Sequence, residues 1–195
     1  MRWLIGSIPD WNYLFSEAYK VLKPGAWIES FEPSAWIKSD HTEIAPTSAL
    51  GQWGRIFTEG AKKFGRSFSV IEDELQRKGM EAAGFVDIQI HRYKVRLFSN
   101  ACQIICRMLV KLCTNNFEQC PIGDWPKDPV LKDIGKCARG AYVSDIEGYV
   151  LFMANALGWG QEEIQVYIAH VRKELAGNKY RPWYLNQVVW ARKPE

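Results

Sequence analysis

Apolar positions in the first third of the chain recur at two different intervals. Leu14, Phe15, Ala18, Val21 and Leu22 share one face at helical spacing. Asp10 stands where a helix cap belongs, and Pro24-Gly25 stop the helix and turn the chain. Residues 26–33 then read as a short, mostly apolar run, as in a strand covered on both faces. With a strand end at residues 2–7, the unit is strand, helix, strand, the crossover of a parallel sheet. Further on, Trp53, Ile56, Phe57 and Ala61 predict a helix over 52–64. A second helix is predicted over 71–83, with Glu72, Asp73 and Glu74 in its first turn and Gly84 as its stop. Val86, Ile88 and Ile90 alternate with Asp87, Gln89 and His91, which predicts a half-covered strand over 85–93. The remainder is helical. Asp128-Pro129 opens one helix, Ser144-x-x-Glu147 reads as the capping box of the next, and Ile164, Ile168, Val171 and Leu175 stripe a third. A last strand is expected over 187–192.

Composition adds bounds. A chain of 195 residues predicts one domain, 1–195, with room for a real core. The formal net charge is +3 with no basic block, so nucleic acid and membrane surfaces are not expected partners. No leader and no run of transmembrane length is read, so a cytoplasmic or nuclear location is expected, with reduced cysteines. Nine Trp point to a Trp-rich core or to a large apolar pocket. No metal site is expected. Four of the five Cys lie within residues 96–120, without a Cys-x-x-Cys pair or a nearby His.

The wording of several stretches carries more than their periodicity. Trp3-Leu4-Ile5-Gly6-Ser7 and Leu22-Lys23-Pro24-Gly25-Ala26-Trp27-Ile28-Glu29 stand with Gly65-Arg66-Ser67-Phe68, Ala83-Gly84-Phe85, Ile122-Gly123-Asp124-Trp125-Pro126 and Leu157-Gly158-Trp159. Together they resemble the later half of class I S-adenosylmethionine-dependent methyltransferases, in the version linked to fungal secondary metabolism. The resemblance implies an α/β fold: a partial, Rossmann-like sheet lacking its N-terminal cofactor-binding half, with added helices. It places residues 2–7 at the fourth strand, 26–33 at the fifth, and 187–192 at an antiparallel seventh strand between the fifth and the sixth. It also sets residues 96–120 apart as an atypical insertion, read either as a translated intron or as a lineage-specific addition.

The resemblance implies S-adenosylmethionine as cofactor and a small-molecule or protein methyl acceptor. The Gly-rich loop that would hold the cofactor is not found, since Gly158-Trp159-Gly160 ends a helix rather than following a strand. Cofactor-proximal candidates are Trp3, Gly6 and Ser7; substrate-pocket candidates are Glu32, Trp36 and Trp53. Methyl transfer relies on positioning, sometimes with a general base, so no fixed catalytic residue is assigned. Glu32 is a candidate base or acceptor-orienting group, with a solvated strand-end carboxylate as the plainer reading. The expected function is a secondary-metabolism methyltransferase, inactive alone without the cofactor-binding half. The alternatives are a cofactor-free cyclase or isomerase on the same fold, and a non-catalytic partner subunit. Homo- or hetero-association through the open sheet edge is expected with the latter two.

Overall fold

The computed structural model describes residues 1–93, 120–177 and 179–195. The proposed insertion and its helix therefore lie outside the described residues, apart from Cys120. The order is α1 (Trp11–Val21), β1 (Trp27–Lys38), α2 (Ala49–Lys62), α3 (Leu75–Ala83), β2 (Val86–Tyr93), β3 (Cys120–Pro121), α4 (Pro129–Ser144), α5 (Ile146–Ala156), α6 (Gln161–Ala176) and β4 (Trp183–Arg192).

The sheet runs β1-β4-β2, with β4 antiparallel to both neighbours and β3 pairing β4 beyond them. This is the placement the resemblance implies for its last strand. The expected fourth strand is reduced to one parallel bridge, Arg2 to Phe31. It is fixed by the Trp3 amide on the Phe31 carbonyl and the Phe31 amide on the Met1 carbonyl, both at 3.0 Å.

Two apolar clusters flank this sheet. One joins Trp11 and Phe15 of α1, Met80 of α3, Ile28 of β1, and Val189 and Ala191 of β4. Helices α1 and α3 approach closely because Gly79 leaves room for the Phe15 ring. The other cluster gathers α2, α5 and α6 around Ile37 and Tyr184, at the far ends of β1 and β4. Between them the β1–β4 register shifts, from Pro33 to Ile37.

Caps explain most boundaries. The Asp10 carboxylate accepts from the Tyr13 amide, as expected. At the other end of α1, the Lys193 ammonium donates to the carbonyls of Tyr19 and Leu22 at 2.8 and 2.9 Å. Several expected boundaries need correction. Helix α2 starts at Ala49 rather than 52, because Ser48 caps it. Helix α3 starts at Leu75 rather than 71, since Glu74 is left-handed (φ 55°) and the acidic triplet lies in the preceding turn. The cap of α5 is Asp145, bonded to the Gly148 amide, and not Ser144, which ends α4. Strand β1 runs on to Lys38 through Pro33, and β4 begins at Trp183, because the far ends of both strands are covered by the helical cluster. The edge strand β2 carries a bulge between Val86 and Gln89. There Asp87, at φ 54°, accepts from Arg192 at 2.8 Å.

Candidate functional site

The middle of β1 gathers most of the candidates, because the strand runs on past Glu32 to Lys38 and the expected strand-end position of Glu32 becomes an interior one. Along the strand Ile28, Ser30 and Glu32 alternate inward, and all three are buried. Two of the three are polar, so they need partners. Ser30 receives the Gln76 amide group on both its carbonyl and its hydroxyl, at 2.9 and 3.1 Å. Gln76 in turn accepts from Gln187 at 3.0 Å, and Gln187 accepts from the Arg92 guanidinium at 3.0 Å.

Glu32 is 0% exposed, which overturns the reading of a solvated strand-end carboxylate. Its two oxygens accept from the Leu4 amide at 2.8 and 3.0 Å, and one of them also from the Ile5 amide at 2.8 Å. Burial pushes its carboxyl up to about 7, and the two amides pull the other way.

Trp3, Gly6 and Ser7 lie on the loop that Glu32 grips. Trp3 is left-handed (φ 57°) and 43% exposed, with its ring 6.5 Å from that of Phe31. A positive φ at so bulky a side chain is a strained conformation, held by its surroundings. Gly6, at φ 71°, is needed because a Cβ there would overlap the Phe68 ring. Its amide donates to the Ser67 carbonyl at 3.1 Å, and the Ser7 amide to the Leu4 carbonyl at 2.9 Å. The Arg66 guanidinium binds the carbonyls of Gly6 and Ser7 at 3.3 and 2.7 Å.

The other two candidates stand apart, Trp36 further along β1 and Trp53 on α2. Trp36 is half-buried against Gly54 of α2, where a Cβ would collide with its ring. Trp53 is 4% exposed, with its ring 5.1 Å from Phe57 and 5.5 Å from Tyr142. It is a core residue of this face. In the sequence Arg66 and Ser67 stand out only as part of a family phrase, and their role as anchors of the 3–7 loop emerges from the structure. Ser34 had no role either; it is buried, donates to Glu72 at 2.6 Å and receives the Trp36 amide.

These residues bear on the cofactor. The amides of Trp3, Leu4, Ile5, Gly6 and Ser7 are all bonded to groups of this chain, and Glu32 is committed to two of them. In this conformation the loop offers no spare backbone donor to a carboxylate, and Glu32 is not available to a ribose diol. The candidates of this loop therefore do not by themselves make a fitting S-adenosylmethionine site. Among the described residues no group of three or more His, Cys, Asp or Glu could hold a metal ion. No described helix is long and apolar enough to cross a membrane.

No protein-family model matches the chain. Individual proteins do. Methyltransferase pytC of Aspergillus terreus is 28% identical over 194 residues, covering 99% of this chain and 52% of that protein. The chain is similar to fungal secondary-metabolism methyltransferases along nearly its whole length. Within that group, the probable methyltransferase tdiE of Emericella nidulans is 25% identical, over 93% of this chain and 49% of its own. The secondary metabolism regulator LAE1 of Cochliobolus heterostrophus is 26% identical, over 100% and 56%. The chain thus spans about half the length of the curated relatives it matches. Two solved structures of Haemonchus contortus phosphoethanolamine N-methyltransferase 2 also match, one with S-adenosylhomocysteine and one with S-adenosyl-L-methionine. Both are 17% identical and cover 100% of this chain and 32% of theirs, with TM-scores of 0.39 and 0.38.

Proposed function

We propose that this chain serves S-adenosylmethionine-dependent methyl transfer in fungal secondary metabolism, on a small-molecule or protein acceptor. The observation that carries the reading is similarity along 99% of the chain to a fungal methyltransferase. The sheet order, with an antiparallel β4 between β1 and β2, agrees with it. In this reading the chain contributes the middle of β1, with Trp36 further along the strand packed against α2. The Trp3 ring and the Trp36 edge are its surfaces for the acceptor or the cofactor. A cytoplasmic or nuclear location goes with this role. The cofactor-free cyclase and the non-catalytic partner gain no support from relatives with these names.

Calorimetric titration of the purified chain with S-adenosylmethionine and S-adenosylhomocysteine tests the reading. With the 3–7 amides and Glu32 already engaged, no saturable binding is expected for the chain alone, and binding followed by methyl transfer is expected once a cofactor-binding partner joins it. A folded chain that neither binds the cofactor nor joins a complex that does so overturns it.

A further inference from the structure

The 3–7 loop is held at four points, by Glu32 beneath it, by the Phe31 and Ser67 carbonyls and by the Arg66 guanidinium. Only the first of these anchors carries a charge buried away from water. Glu32 is fully buried, and the bonds to it come from backbone amides rather than from a cationic side chain. A carboxylate in that position is solvated by the loop itself, so the same movement that opens the loop rehydrates the carboxylate.

We propose that Glu32 is the latch of the 3–7 loop, a positioning residue whose charge sets how firmly that loop closes over the middle of β1. The charged groups around it are already engaged elsewhere. On the N-terminal segment, the Met1 amine bonds the Glu29 carbonyl and Arg2 pairs with the Glu29 carboxylate at 2.9 Å. On the segment leading to α3, Arg66 holds the loop carbonyls and Glu72 accepts from Ser34. On α3 itself Arg77 spans Glu74 and Glu81. Across the sheet Gln187 lies opposite Glu32, and Arg92 of β2 is spent on Gln187. The Met1 amine is the charge that favours ionisation of Glu32.

The direction of the effect follows from hydration. Closing the loop dehydrates Glu32 and favours its neutral form; opening the loop restores water and favours the carboxylate. Rising pH therefore loosens the loop, over the interval between the ordinary value of 4.5 and about 7. A displacement of that size corresponds to at most about 300-fold in the opening equilibrium. A ligand facing this loop rests on the methyltransferase reading, whereas the latch does not.

Amide hydrogen exchange, without any cofactor, tests the latch apart from the function. Protection of the Leu4 and Ile5 amides is measured from pH 5 to 8.5, corrected for the intrinsic rate, and compared with the same amides in Glu32→Gln, while Val189 in the centre of the sheet gives the global limit. In the wild type this protection is expected to lie below that of Val189 and to fall by up to about 300-fold as pH rises, and in Glu32→Gln to stay flat. A flat wild-type profile, the same slope in the Gln variant, or Leu4 and Ile5 protected as fully as Val189 overturns the proposal. If the variant fails to fold, the wild type decides alone. The Leu4 and Ile5 amide resonances must titrate with the Glu32 carboxyl, and resonances that do not follow it overturn the latch.

Discussion

At the scale of single residues, Glu32 also sets a pH response for the whole fold. Its carboxyl sits near 7 in the folded chain and at 4.5 ordinarily, so between these values the folded state holds a proton that the unfolded state has lost. Stability from this group is therefore present below about pH 4.5 and falls as pH rises towards 7, by roughly 3 kcal/mol at most. Urea unfolding of the wild type and of Glu32→Gln at pH 5 and pH 8 checks the sign. The variant is expected to lose less stability than the wild type over that interval, and an equal loss in both removes the assignment. The sequence placed Glu32 at the end of a strand and no further. Its inward phase is visible in the alternation with Ile28 and Ser30, but its partners are amides of Leu4 and Ile5, 28 and 27 residues away. A periodic pattern records which face a residue takes and not which distant backbone it meets. Trp3, Gly6 and Ser7 came together with Glu32 because the strand–helix–strand reading already set both strand ends side by side.

Among the helices, α2 shows how a distant residue can set a boundary. Its first amides, Ala49 and Leu50, donate to the two oxygens of Glu174 on α6, at 3.0 and 2.9 Å. The Tyr167 hydroxyl, from the same helix, donates to the Ala49 carbonyl at 2.9 Å. Burial, and the nearby Glu174 charge, push that phenol up, so it remains a donor throughout the ordinary pH range. Glu174→Ala leaves two helix-end amides without their charged acceptor, and a loss of about 1–3 kcal/mol is expected in thermal or urea unfolding. Glu174→Gln should recover part of it. The expected start at 52 fell short because Ala49 and Leu50 already belong to the buried face, on a helix that begins there under caps from Ser48 and Glu174. Helix α1, by contrast, was legible at its start, because its cap Asp10 lies within its own sequence. The start of α3 was hidden by a left-handed Glu74, a conformation that residue type alone does not announce.

For the molecule as a whole, the two clusters meet through β1 and β4 rather than through a shared set of side chains. Phe15 and Ile168 belong to different clusters, and both are almost wholly buried. Phe15→Ala and Ile168→Ala are each expected to cost about 2–5 kcal/mol. In the double variant the losses should add to within about 0.5 kcal/mol, as for sites without shared neighbours. A clear departure from additivity in denaturant unfolding would show that the sheet couples the two halves. The sheet order was legible through the resemblance, since antiparallel pairing of β4 with two strands leaves no local mark. The division into two clusters was not, because periodicity shows that a helix has an apolar face without showing which neighbour covers it. The central place of β4 also bears on synthesis. Phe31 pairs with Val188, so β1 leaves the ribosome long before the strand that completes it. At about 5–20 residues per second the wait is on the order of ten seconds or more, with β1 and β2 both lacking their common neighbour. Once β2 has also emerged, the nascent chain presents two unsatisfied strands to chaperones and to other nascent chains, and a ribosome paused before β4 prolongs the exposure.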